Sequence, residues 1–263
     1  MRRLALALLL LAPAATRAQT DAELVERVVA ALDVAAQAET AFGSMQARIG
    51  TGAGLFSPQA VVDSVRAALL ADPRPDLLRE ALRYLQSPDY ARLLARTRAT
   101  TQDPATLIGL TYGALVPKKG DLPDSLLAAR YVAAAGTARQ MATVMERAMR
   151  AVAETVPEAR ADLERRGQTA DEAISQAVTD FEAQSAPLYV AAARVAFAGV
   201  PRREVEAAIA YYESPAGQHV TRAHLDGMLA AILPGVVHWA GETARAATQP
   251  APPVAPPALP GKP

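Results

Sequence analysis

Apolar residues recur at intervals of three and four along most of this chain, which is the spacing of one face of an amphipathic helix. Alanine and leucine dominate, and no stretch of strand length alternates apolar with polar residues. The pattern therefore predicts an all-α fold, a helical bundle. We expect helices near residues 20–48, 58–71, 76–98, 104–115, 124–155, 158–166, 170–198, 201–213 and 215–245.

Local start and stop signals agree with these helices. Thr20 to Glu23 and Thr169 to Glu172 have the spacing of a capping box, and Ser57-Pro58 pairs a capping hydroxyl with a proline at the first helical position. Phe56 and Val61 are spaced as a hydrophobic staple. The turns are predicted at glycine- and proline-containing stretches, namely 50–54, 72–75, 117–123, 167 and 199–201.

One heptapeptide pattern occurs twice. Leu82 to Pro88 (LRYLQSP) aligns with Ile209 to Pro215 (IAYYESP), and the match extends backward along one helix face. Both faces are predicted to pack in a core. The apolar positions are Leu78, Ala81, Leu82 and Leu85 in the first copy, and Val205, Ala208, Ile209 and Tyr212 in the second.

A second pair of segments also resemble each other, Arg27 to Gln37 and Arg130 to Gln140. Each half of the chain would then contain an opening helix, a spacer and a hinge with the pattern Tyr-x-x-Ser-Pro, so the bundle is predicted to consist of two related helix-hinge-helix halves. The predicted divisions are a signal peptide (1–18), an N-terminal degenerate repeat (19–116), a linker (117–123), a C-terminal repeat (124–246) and a disordered proline-rich tail (247–263).

The serine and proline of each hinge have a structural interpretation. Proline disfavours helical geometry in the residue before it, so Ser87 and Ser214 are expected to leave the preceding helix. Each serine would then cap the next helix, which Pro88 or Pro215 opens. A nucleophilic role is disfavoured because no histidine lies near Ser87 in the sequence and no activating base is evident.

The leading functional hypothesis is a non-enzymatic binding or scaffold module. It predicts an apolar groove, between the halves or between protomers, for a protein, peptide or lipid-like ligand, with self-association as a further option. The candidate binding residues surround the two hinges: Tyr84, Ser87, Pro88, Tyr211, Tyr212, Glu213, Ser214, Pro215 and Gly217. Met141, Met145 and Met149 form a stripe that favours core packing, with a partner helix as the alternative.

The first eighteen residues read as a secretory signal peptide. Arg2 and Arg3 precede an apolar run that is too short to span a bilayer, and Thr16-Arg17-Ala18 offers small residues at a cleavage site. Cleavage is predicted after Ala18, with a periplasmic or secreted destination. The tail after Gln249 is rich in proline and alanine and is expected to be disordered.

Composition narrows the chemistry. The chain has no cysteine, which excludes disulfides, cysteine-ligated zinc and a thiol nucleophile. Its 27 basic residues equal its 27 acidic residues, and no basic stripe indicates nucleic acid. After signal cleavage no second long apolar segment predicts a transmembrane span.

The sequence predicts no catalytic residue, no cofactor-binding residue and no metal ligand. His219 and His224 are five residues apart, on different sides of a helix, and His224 shares an apolar stripe with Val220. The alternatives left open are a hydrolase or other enzyme whose site gathers distant residues such as His219, His238 and the glutamates, and a protein associated with a membrane surface. The second is weakened because no basic amphipathic helix is present.

Tyr211 to Gln218 (YYESPAGQ), with Phe197 and Glu204 before it, resembles a bacterial exported family known as domain of unknown function 2059. Arg130 to Met149 is also similar to the first helix of that family, and the likeness extends from about 124 to 241. The first half departs from the pattern, because Asp89-Tyr90 stands where the second has Ala216-Gly217. The resemblance implies an all-helical periplasmic protein and brings no catalytic residues.

Overall fold

A computed structural model describes residues 21–39, 57–102, 124–165 and 167–248. Helices make up nearly all of these ranges and no strand occurs in them, which confirms the all-α helical bundle. The helices are α1 (21–32), α2 (34–39), α3 (Pro58–Ala71), α4 (Pro75–Leu85), α5 (Pro88–Gln102), α6 (Ser125–Ala135), α7 (Thr137–Thr155), α8 (Pro157–Arg165), α9 (Ala170–Ala196), α10 (Arg202–Glu213) and α11 (Pro215–Thr248).

Several predicted boundaries are confirmed by the contacts that make them. The Ser57 hydroxyl accepts a hydrogen bond from the Ala60 amide at 3.4 Å, and Thr169 and Glu172 form both bonds of the capping box. Gly167 and Gly199 have the positive φ that ends a helix. Several predictions fall on residues outside the described ranges: the signal peptide, the Thr20 cap, the Phe56 staple, the 50–54 turn, the 104–115 helix, the linker and the tail from 249.

Two long helices predicted to be continuous, 20–48 and 124–155, are instead broken, and the breaks are alike. Asp33 and Gly136 adopt left-handed φ values of 54° and 64°. Gln37 then donates from its side-chain amide to the Leu32 carbonyl at 2.6 Å, and Gln140 to the Ala135 carbonyl at 2.5 Å. In each break a left-handed residue ends one helix, and a glutamine five residues past the last helical carbonyl satisfies it.

The hinges also interrupt a predicted helix. The segment expected over 76–98 is divided into α4 and α5 by Gln86 and Ser87, because Pro88 forbids continuation through the residue before it. Both apolar stripes lie inward, as predicted: seven of the eight positions are buried and Tyr212 is half-buried.

The helices that follow the two hinges are exchanged between the halves. Val220 of α11 lies in one buried cluster with Leu78 and Leu82 of α4. Leu93 of α5 lies in the other with Val205 and Ile209 of α10. Each post-hinge helix therefore completes a core that the other half begins, and the halves share their hydrophobic stabilisation.

Close backbone approach fixes α11 against α3. A Cβ added to Gly227 would lie 2.4 Å from the Val65 Cα, which only a glycine avoids. Ion pairs join other helices: Arg66 binds Glu26, and Arg147 lies 3.0 Å from Asp226 between α7 and α11.

The stripe of Met141, Met145 and Met149 packs in the core less completely than predicted. Met145 and Met149 are half-buried and Met141 is exposed, while the buried face of α7 consists of alanines. Small side chains let the neighbouring helices approach that face closely, which leaves the longer methionines at its edge. Among the described residues, no helix combines the length and apolar character needed to cross a bilayer.

Candidate functional site

The two hinges have the same capping geometry. The Ser87 hydroxyl accepts a hydrogen bond from the Tyr90 amide at 3.1 Å, and the Ser214 hydroxyl accepts one from the Gly217 amide at 3.0 Å. Ser214 also donates to the Tyr211 carbonyl at 2.7 Å. The hydroxyls thus serve as helix caps, and the one at position 214 uses both its donor and an acceptor site for that purpose.

The corresponding tyrosines of the two hinges stack against each other. The rings of Tyr84 and Tyr211 have centroids 4.5 Å apart and an interplanar angle of 20°, and Tyr90 packs edge-on against Tyr84 at 5.4 Å. The apolar groove predicted between the halves is therefore filled at this point, because the aromatic side chains expected to line it bury one another.

The aromatic contacts continue toward the second half. Tyr211 contacts Tyr212, Tyr212 contacts Tyr131, and Tyr131 contacts Phe197 edge-on at 4.7 Å. Four tyrosines of this cluster have a pKa that burial raises above the ordinary value, and all four are neutral near pH 7: Tyr84, Tyr131, Tyr211 and Tyr212. The cluster is a rigid apolar centre at the crossing of the hinges.

An open cleft of about 660 Å³ lies beside the second hinge. We call it the arginine cleft, because Arg130 of α6, Arg139 of α7 and Arg222 of α11 line it. Only one carboxylate, that of Glu213, is in the lining, so the cleft carries an excess of positive charge. The remaining lining residues are Ala133, Ala134, Ala135, Gly136, Gln140, Tyr212, Gln218, Thr221 and Leu225.

The three arginines of this cleft are exposed and make no ion pair with another described residue. Arg92 differs from them in this respect. Arg92, next to the first hinge, donates to both carboxylate oxygens of Glu204, which is only 3% exposed. This contact holds the pKa of Glu204 below its usual range. The guanidinium groups of the cleft, in contrast, keep their donors available.

The sequence pattern did not predict that these arginines would line one cleft, and the reason is the helix break at Gly136. Arg130 and Arg139 are nine residues apart, about two and a half helical turns, and would lie on opposite sides of the continuous helix that was predicted. The left-handed turn at Gly136 redirects the chain and places both side chains at one cleft. The nearest signal was Gly136 itself, since a glycine between two helical stretches favours a C-cap.

The predicted binding residues separate into three groups. Tyr84 and Tyr211 belong to the buried aromatic cluster, and Gly217 is buried against the Tyr211 carbonyl. The serines cap helices and the prolines begin them. Of the nine, Tyr212 and Glu213 line the arginine cleft.

The described residues around His219 and His224 do not form a catalytic or metal-binding arrangement. The Nδ1 atom of His219 lies 4.0 Å from the Oδ2 atom of Asp72. The Nε2 atom of His219 is buried and has no hydrogen-bond partner among the described residues, and burial lowers the pKa of this histidine. Burial also lowers the pKa of His224. No group of three potential metal ligands occurs within the described ranges.

Comparisons with protein-family models, with curated proteins and with solved structures give no match to this chain. The resemblance to domain of unknown function 2059 therefore stays a prediction from the hinge sequence.

Proposed function

We propose that this protein is an exported, non-enzymatic binding module that holds an acidic peptide segment of a partner in the arginine cleft. The observation that carries the proposal is the set of three guanidinium groups around one open cavity, none of which forms an ion pair with a described residue. Guanidinium groups bind carboxylates through two parallel hydrogen bonds, which gives both affinity and orientation.

The rest of the lining suits a peptide. Gln218 and Thr221 place an amide and a hydroxyl on α11, where they can meet a peptide backbone, and Ala133, Ala134 and Leu225 supply apolar wall. The cavity is large enough for a short stretch of chain rather than a single ion. The cleft thus combines charge, hydrogen-bonding groups and apolar surface.

A rigid frame supports the walls. The cap at Ser214 fixes the start of α11, and the contact of Gln140 with the Ala135 carbonyl fixes the end of α6, where both border the cavity. Preorganised walls reduce the entropy lost on binding.

Binding is tested with a hexaglutamate peptide titrated calorimetrically into the purified protein, with hexaglutamine as the uncharged probe. We expect hexaglutamate to bind, with an affinity that falls as salt is raised, and hexaglutamine not to bind. Arg222→Gln or Arg139→Gln should weaken binding about tenfold, since a hydrogen bond to a charged group contributes roughly 1.5–3 kcal/mol.

Arg83→Gln is the matched control. Arg83 is an exposed arginine on the helix before the first hinge and does not line the cleft. Loss of binding in this variant equal to that in Arg222→Gln would mean that overall charge, not the cleft, attracts the peptide, and the proposal would fail.

Export is the other half of the proposal and rests on the sequence of residues 1–18. Fractionation of expressing bacteria, with N-terminal sequencing, should recover a chain that begins at Gln19 outside the cytoplasm. Recovery of the uncleaved chain from the cytoplasm would contradict it.

A further inference from the structure

A second cavity lies on a different face of α6 from the arginine cleft. Its volume is about 210 Å³, and it is half-open, bordered by α5, α6 and α9 with the start of α7 and the residue that follows α9. We call it the apolar pocket. Its lining is Thr97, Tyr131, Val132, Thr137, Tyr189, Ala192, Ala193, Ala196 and Phe197.

The chemistry of the apolar pocket is the reverse of that of the cleft. Among the described residues no charged side chain lines it, so an ion that entered would lose its hydration without compensation from them. Two aromatic rings, those of Tyr131 and Phe197, stand at 86° to each other in its wall with centroids 4.7 Å apart. Aromatic rings in such a wall favour another aromatic ring as neighbour, because ring pairs gain stabilisation beyond the apolar area that they bury.

Size and polar groups narrow the ligand further. An apolar cavity of about 150 Å³ suffices to hold a benzene ring, so this pocket accommodates one ring with a small substituent or two fused rings. The Thr137 hydroxyl lines the pocket and has no hydrogen-bond partner among the described residues. It can accept or donate one hydrogen bond.

We propose that the apolar pocket binds a small, uncharged aromatic molecule that carries a single hydroxyl or N–H group. The rings of Tyr131 and Phe197 hold the aromatic ring of the ligand, and Thr137 binds its polar group. The three alanines of α9 leave the space that the ring occupies. No described residue lines both this pocket and the arginine cleft.

Phenol and cyclohexanol are the probes, because they share ring size and hydroxyl group and differ in aromaticity. Calorimetry and ligand-observed NMR on the full chain should show saturable binding of phenol at one site and at least threefold weaker binding of cyclohexanol. Equal binding of the two would overturn the aromatic assignment, and no binding of either would overturn the site.

Ala192→Leu fills the pocket and should weaken phenol binding at least tenfold. Ala183→Leu, on the exposed face of the same helix, is the control and should leave it unchanged. Thr137→Val removes the hydroxyl without enlarging the side chain, so it remains informative if the leucine variant does not fold. It should weaken phenol about threefold and leave benzene binding unchanged, and equal loss for both would refute the role of Thr137.

Discussion

The two hinges share one mechanism and differ in what lies beside them. In both, a serine hydroxyl caps the helix that a proline begins, with amide-to-hydroxyl distances of 3.1 and 3.0 Å. Beside the first hinge, Arg92 is paired with the buried Glu204. Beside the second, Arg222 lines an open cleft and forms no ion pair within the part of the chain that the structure describes.

The Tyr-x-x-Ser-Pro pattern therefore has the same capping geometry at both hinges, whereas the charged side chains around the two hinges differ. At the first hinge the arginine is used for stability, since it joins α5 to α10. At the second the arginines remain available. We therefore assign the proposed function to the side chains around the second hinge rather than to the hinge itself.

Gly217→Ala should separate the hinges most strongly. A Cβ at this position would lie 2.0 Å from the Tyr211 carbonyl oxygen, whereas the first hinge holds Tyr90 at the corresponding place. Relief requires a backbone shift in a packed core, so we expect a loss of about 3 kcal/mol in the free energy of unfolding. Urea denaturation measures it.

Gly241→Ala is the matched control in the same helix. Its Cβ would meet only side-chain atoms at 3.6 and 3.8 Å, and alanine is the better helix former, so stability should rise by about 0.5–1 kcal/mol. Equal destabilisation by the two variants would show that the hinge contact at Gly217 has no special role.

Glu204→Gln should have a smaller effect, and the effect should depend on pH. The Arg92 guanidinium holds the pKa of Glu204 below the ordinary value of 4.5. A carboxyl with a lowered pKa in the folded state stabilises the protein above its unfolded pKa, and the stabilisation is lost as the pH falls from about 4.5 through the folded value.

The wild type should therefore be more stable than Glu204→Gln at pH 7, and the two stabilities should converge as the pH falls toward 3. Denaturation at both pH values measures this difference. A difference of the same size at pH 7 and at pH 3 would contradict the ion pair as its cause.

Ser87→Ala and Ser214→Ala should each reduce the free energy of unfolding by about 1 kcal/mol, the typical contribution of a helix cap. The loss at 214 should be the larger of the two, because that hydroxyl also donates to the Tyr211 carbonyl. Chemical denaturation of both variants checks the order. Unchanged stability in either variant would remove the capping role of that serine.

Tyr84→Phe and Tyr211→Phe should have the smallest effects. Both hydroxyl oxygens are buried and have no hydrogen-bond partner among the described residues, so removing them relieves an unsatisfied group. We expect changes between zero and a gain of about 1 kcal/mol. A clear loss of stability on thermal unfolding would reveal a partner for that hydroxyl.

Local signals in the sequence predicted the helices, the hinge caps and the buried stripes, because each depends on residues within one or two turns. Ser57, Thr169 and Ser214 illustrate this. The cleft depends on the direction in which α7 leaves Gly136 and on the exchange of α5 and α11 between the cores. The spacing of residues along one helix indicates neither the direction of α7 nor this exchange. The sequence pattern therefore did not predict that Arg130, Arg139 and Arg222 would lie around one cleft.

The central claim is that the second hinge borders an anion-binding cleft and the first does not. The most direct test is a titration of the ¹⁵N-labelled protein with hexaglutamate, followed by amide chemical shifts. We expect saturable shifts within residues 130–140 and 212–225 and none within 84–92. Shifts of equal size around both hinges, or none at the cleft, would contradict it.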